Sequence, residues 1–182
     1  MDIQKTPIEG LRVIYPRIFN DDRGYFFESF HAERYRKAGV TAGFIQDNES
    51  RSFRGVIRGL HYQLAPYAQS KLVRVTEGRV LDVAVDLRKQ SPTFGKWFGV
   101  ELSAENKAQF YIPRGFAHGF SVLSETAVFS YKCDNYYCPD AERGILFNDS
   151  YLNIDWKIPE HEAIVSDKDL KNSPFFQAEY NF

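Results

Sequence analysis

Apolar and polar side chains alternate with a period of two along much of this chain, most clearly in residues 79–87. Four aliphatic residues fall on one face of that stretch, and Asp82 and Asp86 fall on the other. Because neighbouring side chains point to opposite faces of a strand, the pattern predicts a β-strand with one apolar and one mixed face. Residues 71–76 form a similar run, and Gly78 between the two indicates a hairpin turn.

Nine further short runs have strand character and are separated by turn-forming Gly, Pro, Asn, Asp and Ser. Residues 31–38 are typical of a helix that ends at Gly39, and a second short helix is expected near Asp167. This pattern predicts an all-β sandwich or barrel with short peripheral helices, in one domain over residues 1–182. After residue 159 we expect a looser segment that packs on the barrel. The nine predicted strands are residues 12–19, 24–30, 44–48, 55–63, 97–102, 109–112, 119–123, 126–132 and 144–147.

The charge balance excludes several classes of protein. The chain has 23 Lys and Arg against 24 Asp and Glu, for a net charge of −1. Proteins that bind nucleic acids or membrane surfaces carry a basic excess, so we expect neither partner. No apolar run reaches the roughly 18 residues of a membrane span, and residues 1–5 do not resemble a leader peptide. Cys133 and Cys138 are interpreted as reduced thiols, which predicts a cytoplasmic protein.

Arg58 and His61 lie in a strand-like run that contains Gly59. A charged group inside a strand is costly unless it is paired or faces a cavity, and histidine can exchange a proton near neutral pH. Strict alternation places Arg58 and His61 on opposite faces, whereas a bulge at Gly59 would bring both into one cavity. The alternative interpretation is a surface strand with an incidental histidine.

A second histidine, His118, lies between two phenylalanines in residues 113–120, a segment that begins with Pro113 and contains Gly115. The Pro-x-Gly-x-x-His spacing resembles a conserved box of cupins, small β-barrels that often hold a metal. A metal cupin also needs a His-x-His pair and a carboxylate on an earlier strand. The matching region offers only His61, so we predict that no metal site is present. The alternative for His118 is a buried, hydrogen-bonded histidine of the core.

Two further residues have the chemistry of an acid–base site. Tyr131 lies in an alternating aromatic run, and a phenol with a pKa of about 10 can deliver a proton to an enolate-like carbon. Lys71 begins a strand and can stabilise a developing oxyanion. The alternatives are core packing for Tyr131 and a solvated edge charge for Lys71.

Together these clusters resemble the dTDP-4-dehydrorhamnose 3,5-epimerase family of nucleotide-sugar enzymes. The resemblance covers about residues 3–170, and its motifs are long and keep their order. Ala65 and Lys157 stand where the family usually has Pro, and neither touches a candidate catalytic position. The matching segments are residues 22–30, 46–48, 56–63, 68–75, 82–88, 91–95, 112–120, 135–137 and 166–169.

The resemblance implies a double-stranded β-helix, the jelly roll of cupin-like proteins, and a homodimer that uses no metal, nicotinamide or other cofactor. The implied substrate is dTDP-4-dehydro-6-deoxy-D-glucose, which is inverted at C3 and C5 to give dTDP-4-dehydro-L-rhamnose. The resemblance implies that His61 is the general base and that Asp169 is its dyad partner. By the same resemblance, Tyr131 is the acid on the opposite face and Lys71 is the cation near the enolate oxygen.

The resemblance also implies how the nucleotide is held. Arg23, Arg58 and Lys168 match positions that hold the phosphates or nearby groups, and arginine suits bidentate phosphate contacts. Tyr137 matches the residue that stacks on thymine, and some N-terminal positions are expected to reach the active site of the partner subunit. The positions that match substrate-binding residues are Arg23, Glu28, Gln46, Asp47, Asn48, Arg58, Lys71, His118, Tyr137, Glu142 and Lys168.

Two alternatives stay open on the sequence alone. The first is an enzyme that inverts only C3 or only C5 of another dTDP-4-keto-deoxysugar, because small pocket differences decide which carbon reacts. The second is a non-catalytic sugar-binding cupin, which would have lost at least one member of the acid–base set. All four members are present, which favours an enzyme: His61, Lys71, Tyr131 and Asp169.

Overall fold

The protein is a two-sheet β-sandwich with one short α-helix, described here by a computed structural model of all 182 residues. The strands are β1 (Asp2–Lys5), β2 (Arg12–Tyr15), β3 (Ile18–Asp21), β4 (Gly24–Phe27), β5 (Gln46–Phe53), β6 (Ile57–Gln63), β7 (Lys71–Glu77), β8 (Arg79–Asp86), β9 (Trp97–Ser103), β10 (Gln109–Ile112), β11 (Phe116–Val122), β12 (Thr126–Cys133) and β13 (Glu142–Gly144). The helix α1 covers Ala32–Lys37, and short 3-10 helices cover Pro139–Ala141, Glu160–Glu162, Asp169–Lys171 and Phe175–Gln177.

The strands form two large antiparallel sheets and one separate hairpin. Sheet I has six strands in the order β1-β2-β10-β7-β12-β5, and sheet II has five in the order β13-β6-β11-β8-β9. Strands β3 and β4 pair only with each other. Neighbours within each sheet are often distant in sequence, as expected when a chain winds back and forth between two sheets. The predicted all-β double-stranded β-helix is confirmed.

Three apolar clusters hold the layers together. The largest lies between the sheets and includes Val73, Phe110 and Phe129. The outer face of sheet I is covered by α1, whose Tyr35 is buried against Leu72 and Tyr111 on that sheet. Because sheet I is packed on both faces, its strands carry apolar residues at odd-numbered and even-numbered positions alike.

The third cluster covers the outer face of sheet II with the C-terminal part of the chain. Trp156 and Phe175 pack there against Val83 and Val85 of β8. Phe175 is fully buried, which stabilises the docked segment by about 1.5–3 kcal/mol. The apolar face of β8 therefore points away from the centre of the sandwich, and its mixed face, with Asp82, points inward.

Most predicted strands are present, with differences at their ends. The predicted strand 12–19 is wrong as one element, because Pro16 has no N–H to donate and separates β2 from β3. Strand β5 continues to Phe53 and pairs with β12 along its whole length. The predicted helix 31–38 is confirmed as α1, with His31 as its N-cap. Among the helices, none has the length and apolar character needed to cross a membrane.

Candidate active site

A cavity lies between the two sheets and has two connected lobes of about 240 and 490 Å³. Four side chains line both lobes. His61 and His118 come from neighbouring strands β6 and β11 of sheet II, while Lys71 and Tyr131 come from neighbouring strands β7 and β12 of sheet I. The cavity is therefore walled by histidines on one side and by a cation and a phenol on the other.

A bulge in β6 brings Arg58 and His61 into the same lobe. His61 pairs with His118 and Arg58 pairs with Phe120, so β6 has one more residue than β11 between these pairs. Both Arg58 and His61 line the larger lobe, which confirms the bulge interpretation. The strands approach closely at Gly59, which has a φ of +123°, and a Cβ there would lie 2.6 Å from the Cα of Gly119. Only glycine fits this crossing.

His61 is paired with a carboxylate from the C-terminal segment. Its Nε2 lies 2.6 Å from Oδ1 of Asp169, while the N–H of Gly59 donates to Oδ2 at 3.4 Å. Burial alone would raise the pKa of Asp169, but the hydrogen bonds from His61 and Gly59 outweigh it and hold the pKa below its usual value. The carboxylate is therefore ionised at neutral pH and orients the imidazole.

His118 forms a second pair with Asp82 of β8. Its Nε2 lies 3.0 and 2.9 Å from the two carboxylate oxygens. Burial lowers the pKa of His118, against the opposing effect of Asp82, so the ring is neutral at neutral pH. His118 is thus a buried, hydrogen-bonded histidine and also part of the cavity wall.

Sequence reasoning assigned no role to Asp82. Its signal was present in the alternation of β8, where Asp82 shares a face with Val80 and Ala84, both of which are core residues. A carboxylate on a buried face requires a partner. The partner, His118, lies 36 residues away in sequence, so only the folded chain shows the pairing.

Lys71 points into the cavity, so the interpretation as a solvated edge charge is wrong. Its Nζ lies 5.8 Å from the centre of the Tyr131 ring. Burial lowers the pKa of the Lys71 amine, while Cys133, Asp82 and Glu142 act to raise it. An ammonium group in a partly dry cavity is well placed to stabilise a developing negative charge.

Tyr131 faces the histidines from sheet I. Its ring packs against Phe129, which stacks on Phe120 of sheet II with 4.2 Å between the ring centres. Burial raises the pKa of the Tyr131 phenol, so the group holds its proton at neutral pH and can act as an acid.

A polar and aromatic group surrounds the smaller lobe. Half-exposed Tyr137 donates from its hydroxyl to Glu142 Oε2 at 2.6 Å, and Lys168 pairs with the same carboxylate. The N–H of Tyr137 donates to Gln46 Oε1, and Gln46 donates to Asn48. These side chains offer a flat ring and several hydrogen-bonding groups at the mouth of the cavity. Gln63 and Gln69, which sequence reasoning missed, also line this lobe.

Three predicted site residues lie outside the cavity of their own chain. Arg23 is exposed on the β3–β4 hairpin and pairs with Asp21. Glu28 pairs with Arg34 of α1, and Asp47 pairs with Lys132. The single chain does not bring these three residues to His61. No three His, Cys, Asp or Glu side chains converge closely enough to hold a metal ion.

The arrangement suits proton transfer across a bound ligand. A histidine oriented by a carboxylate can remove a proton from one face, and a neutral phenol on the opposite wall can return one to the other face. A lysine ammonium beside them can stabilise an oxyanion formed between the two steps. This chemistry inverts a carbon next to a carbonyl group.

The known proteins that this chain resembles are epimerases. The family model described as dTDP-4-dehydrorhamnose 3,5-epimerase matches residues 5–177. A dTDP-4-dehydrorhamnose 3,5-epimerase from Shigella flexneri is 54% identical over 181 residues, or 99% of each chain.

Two solved structures superpose closely on this cupin-like fold. The 3,5-epimerase of Elizabethkingia anophelis is 56% identical over 97% of each chain, with a TM-score of 0.94. The 3,5-epimerase of Legionella pneumophila, solved in complex with dTDP-4-keto-L-rhamnose, is 53% identical over 95% of this chain and 92% of its own, with a TM-score of 0.91. The chain therefore belongs to the dTDP-4-dehydrorhamnose 3,5-epimerase family, whose members are isomerases.

Proposed function

We propose that this protein inverts C3 and C5 of dTDP-4-dehydro-6-deoxy-D-glucose and releases dTDP-4-dehydro-L-rhamnose, the precursor of dTDP-L-rhamnose. One observation carries the mechanism. His61 and Tyr131 line the same cavity from opposite sheets, with Lys71 on the wall beside Tyr131. A base and an acid on opposite sides of a sugar ring give inversion, whereas groups on one side would return the proton to the face it left.

His61 is the proposed base. Oδ1 of Asp169 accepts a hydrogen bond from Nε2 of His61, which assigns the proton of the neutral ring to that nitrogen and leaves Nδ1 to accept the substrate proton. As the C–H bond breaks, its electron pair forms the C=C bond of an enolate, and the carbonyl electrons move to the C4 oxygen. The Lys71 ammonium stabilises that oxygen.

Tyr131 completes each inversion. Its phenol donates a proton to the carbon from the face opposite His61, and the enolate electrons return to re-form the C4 ketone. The resulting imidazolium and phenolate exchange protons with solvent before the second carbon reacts. Burial, which raises the pKa of Tyr131, favours recovery of the phenol.

The nucleotide is proposed to occupy the smaller lobe and the cavity mouth. Tyr137, more than half exposed, presents a ring on which thymine stacks, with Gln46 and Asn48 as hydrogen-bonding partners. Arg58 and Lys168 line the larger lobe and are proposed to hold the phosphates. His118 and Glu142 are proposed to bind the substrate between these ends.

We further propose that two chains form a dimer in which the β3–β4 hairpin supplies residues to the partner's cavity. The hairpin exposes the rings of Tyr25 and Phe26 beside Arg23, and exposed apolar patches of this kind mark interaction surfaces. Arg23 and Glu28 would then reach a ligand that their own chain cannot bring them to. The unpaired cysteine thiols Cys133 and Cys138 support a reducing, cytoplasmic location.

Subunit mixing tests the shared site. Arg23→Ala and His61→Ala homodimers are each expected to be impaired. After mixing in equal amounts and re-equilibration, about half of the dimers contain one chain of each variant and have one of their two sites intact. About a quarter of all sites is then intact, so activity recovers to roughly that fraction of wild type. Activity that stays at the level of the separate variants would contradict a contribution from the partner.

Solvent deuterium incorporation tests the reaction itself. In heavy water, proton NMR of dTDP-4-dehydro-6-deoxy-D-glucose with catalytic protein is expected to show loss of the signals at both C3 and C5, together with the inverted product. Exchange at C3 alone would replace the dual assignment by a single-centre epimerase. The absence of any exchange would favour a sugar-binding protein without activity.

A further inference from the structure

Asp82 is a buried carboxylate that lies behind the cavity wall. Its side chain is fully buried, and it lines neither lobe, so a ligand in the cavity does not contact it. It lies on β8, an interior strand of sheet II between β11 and β9. Burying a charge at such a position is expensive unless its neighbours compensate it. Its neighbours are His118 and Lys71.

Asp82 determines which nitrogen of His118 holds the proton. Both carboxylate oxygens contact Nε2, at 3.0 and 2.9 Å, and an ionised carboxylate can only accept. Burial raises the pKa of Asp82, while His118 and Lys71 act to lower it. With the carboxylate ionised, Nε2 donates, and Nδ1 of the neutral ring is left with a lone pair. Nδ1 of His118 makes no hydrogen bond within the protein. Asn172 Nδ2 is the only fully buried side-chain nitrogen or oxygen without a partner, so Nδ1 is not fully buried. Nδ1 is therefore open to the cavity.

Asp82 is also the counter-charge for Lys71. The Lys71 Nζ makes no hydrogen bond or ion pair within 4 Å, so its N–H groups are free for a ligand. Glu142, the other nearby carboxylate, is already paired with Lys168 and Tyr137. Asp82 has no basic partner of its own except the neutral His118. With both groups ionised, Asp82 and Lys71 together carry no net charge, which offsets part of the cost that burial imposes on each.

We propose that Asp82 is a positioning residue that acts through two neighbours. It fixes His118 as the Nε2–H tautomer, so that Nδ1 accepts a hydrogen bond from a hydroxyl group of the ligand. It also keeps Lys71 in its ammonium form beside the C4 oxygen of the substrate. The second part rests on the proposed function, whereas the tautomer is a property of the protein without substrate.

The kinetic test uses Asp82→Asn, which keeps the shape and removes the charge. The ionisable groups around Lys71 are Asp82 on β8, His118 on β11, His61 on β6, Tyr131 and Cys133 on β12, and Glu142 on β13. Burial lowers the pKa of Lys71 and Asp82 acts to raise it, whereas the pKa shifts of Tyr131 and Cys133 come from burial and from groups other than Asp82, so a movement of the high-pH loss of activity in Asp82→Asn reports Lys71. In Asp82→Asn that loss is expected about one pH unit lower, with kcat at pH 7 reduced about tenfold.

Asp86→Asn is the matched control. Asp86 lies on the same strand and is equally buried, but it binds Arg88, Ser91 and Thr93 away from the cavity. Its loss is expected to lower the unfolding free energy while the pH profile of kcat stays at its wild-type position. If the pH profile of kcat in Asp82→Asn matched that of wild type, or if Asp86→Asn shifted the profile by the same amount, the proposed role of Asp82 would be overturned.

The tautomer is tested without substrate, on folded wild-type protein. Long-range ¹H–¹⁵N NMR spectra of histidine-labelled protein, with His118→Asn to assign the peaks, are expected to show a protonated Nε2 and an unprotonated Nδ1 for His118. A proton on Nδ1 would overturn the proposal even if Asp82→Asn failed to fold. Because this measurement needs no turnover, its failure is distinguishable from failure of the proposed reaction.

Discussion

Two histidines on neighbouring strands of the same sheet are each paired with an aspartate, and the two pairs differ mainly in exposure. His61 and His118 are register partners, and each ring places Nε2 within 3.0 Å of a carboxylate oxygen. The His61 side chain is 31% exposed and that of His118 is 7% exposed. The same two side chains can thus serve as a proton-transfer group where the ring is partly exposed, as proposed for His61, and as a fixed wall element where the ring is almost enclosed, as in His118.

Removal of His61 is expected to have the largest effect. His61→Ala should lower the rate of deuterium exchange about 10²–10⁴-fold, the range typical of a general base, while the melting temperature stays close to wild type. His161→Ala is the matched control, because the His161 side chain is 82% exposed and lines neither lobe of the cavity. If the exchange rate of His61→Ala stayed within tenfold of wild type, His61 would not be the base, and the proposed functional difference between the two histidine–aspartate pairs would be lost.

Tyr131→Phe separates proton removal from inversion. His61 can still take a proton and return it to the same face, so solvent exchange should persist while product formation falls about 10²-fold. NMR in heavy water measures both quantities on one sample. Tyr151→Phe, at an exposed ring packed on Phe175, should change neither. If exchange and inversion fell by the same factor in Tyr131→Phe, the phenol would be acting before reprotonation.

The acid stability of the protein should depend on Asp169. Its pKa is lowered in the folded state, so its ionised form contributes stability that is present above the unfolded value of about 3.9 and is lost as pH falls through the folded-state pKa. Asp169→Asn should lower the unfolding free energy by about 1.5–3 kcal/mol at pH 7. Urea denaturation at several pH values should show the two proteins converging below about pH 4. A difference in unfolding free energy that is the same at all pH values would contradict a lowered pKa of Asp169 in the folded state.

Chelation of divalent metal ions is expected to leave the enzymatic activity unchanged, which is the smallest effect of the series. The two histidines face one cavity, but no third His, Cys, Asp or Glu joins them in a cluster that could hold a metal ion. Activity after incubation with EDTA and gel filtration is expected to equal that of the untreated protein. A large loss that is restored by a divalent cation would show that the two pairs act together as a metal site.

The alternation of side chains was sufficient to predict the strands of the core, and the two histidine motifs pointed to the cavity. Strand β1 was missed because its polar residues Asp2–Lys5 show no buried face, and β5 was predicted too short because its edge position tolerates Glu49 and Arg51. Asp82 was missed because its partner is remote in sequence. Arg23 and Glu28 could be matched to a family pattern, but one chain does not place them near a ligand.

The docking of the C-terminal segment on sheet II has a consequence for when activity first arises. Asp169 reaches His61 from 108 residues away, on a segment held by buried Phe175. A molecule whose two sheets have closed but whose last segment is loose already has the lysine and the phenol, yet the larger lobe lacks one of its walls and the imidazole has no orienting partner. With His61 as the proposed base, full turnover therefore requires the docked segment, and the enzymatic rate becomes a report on that docking.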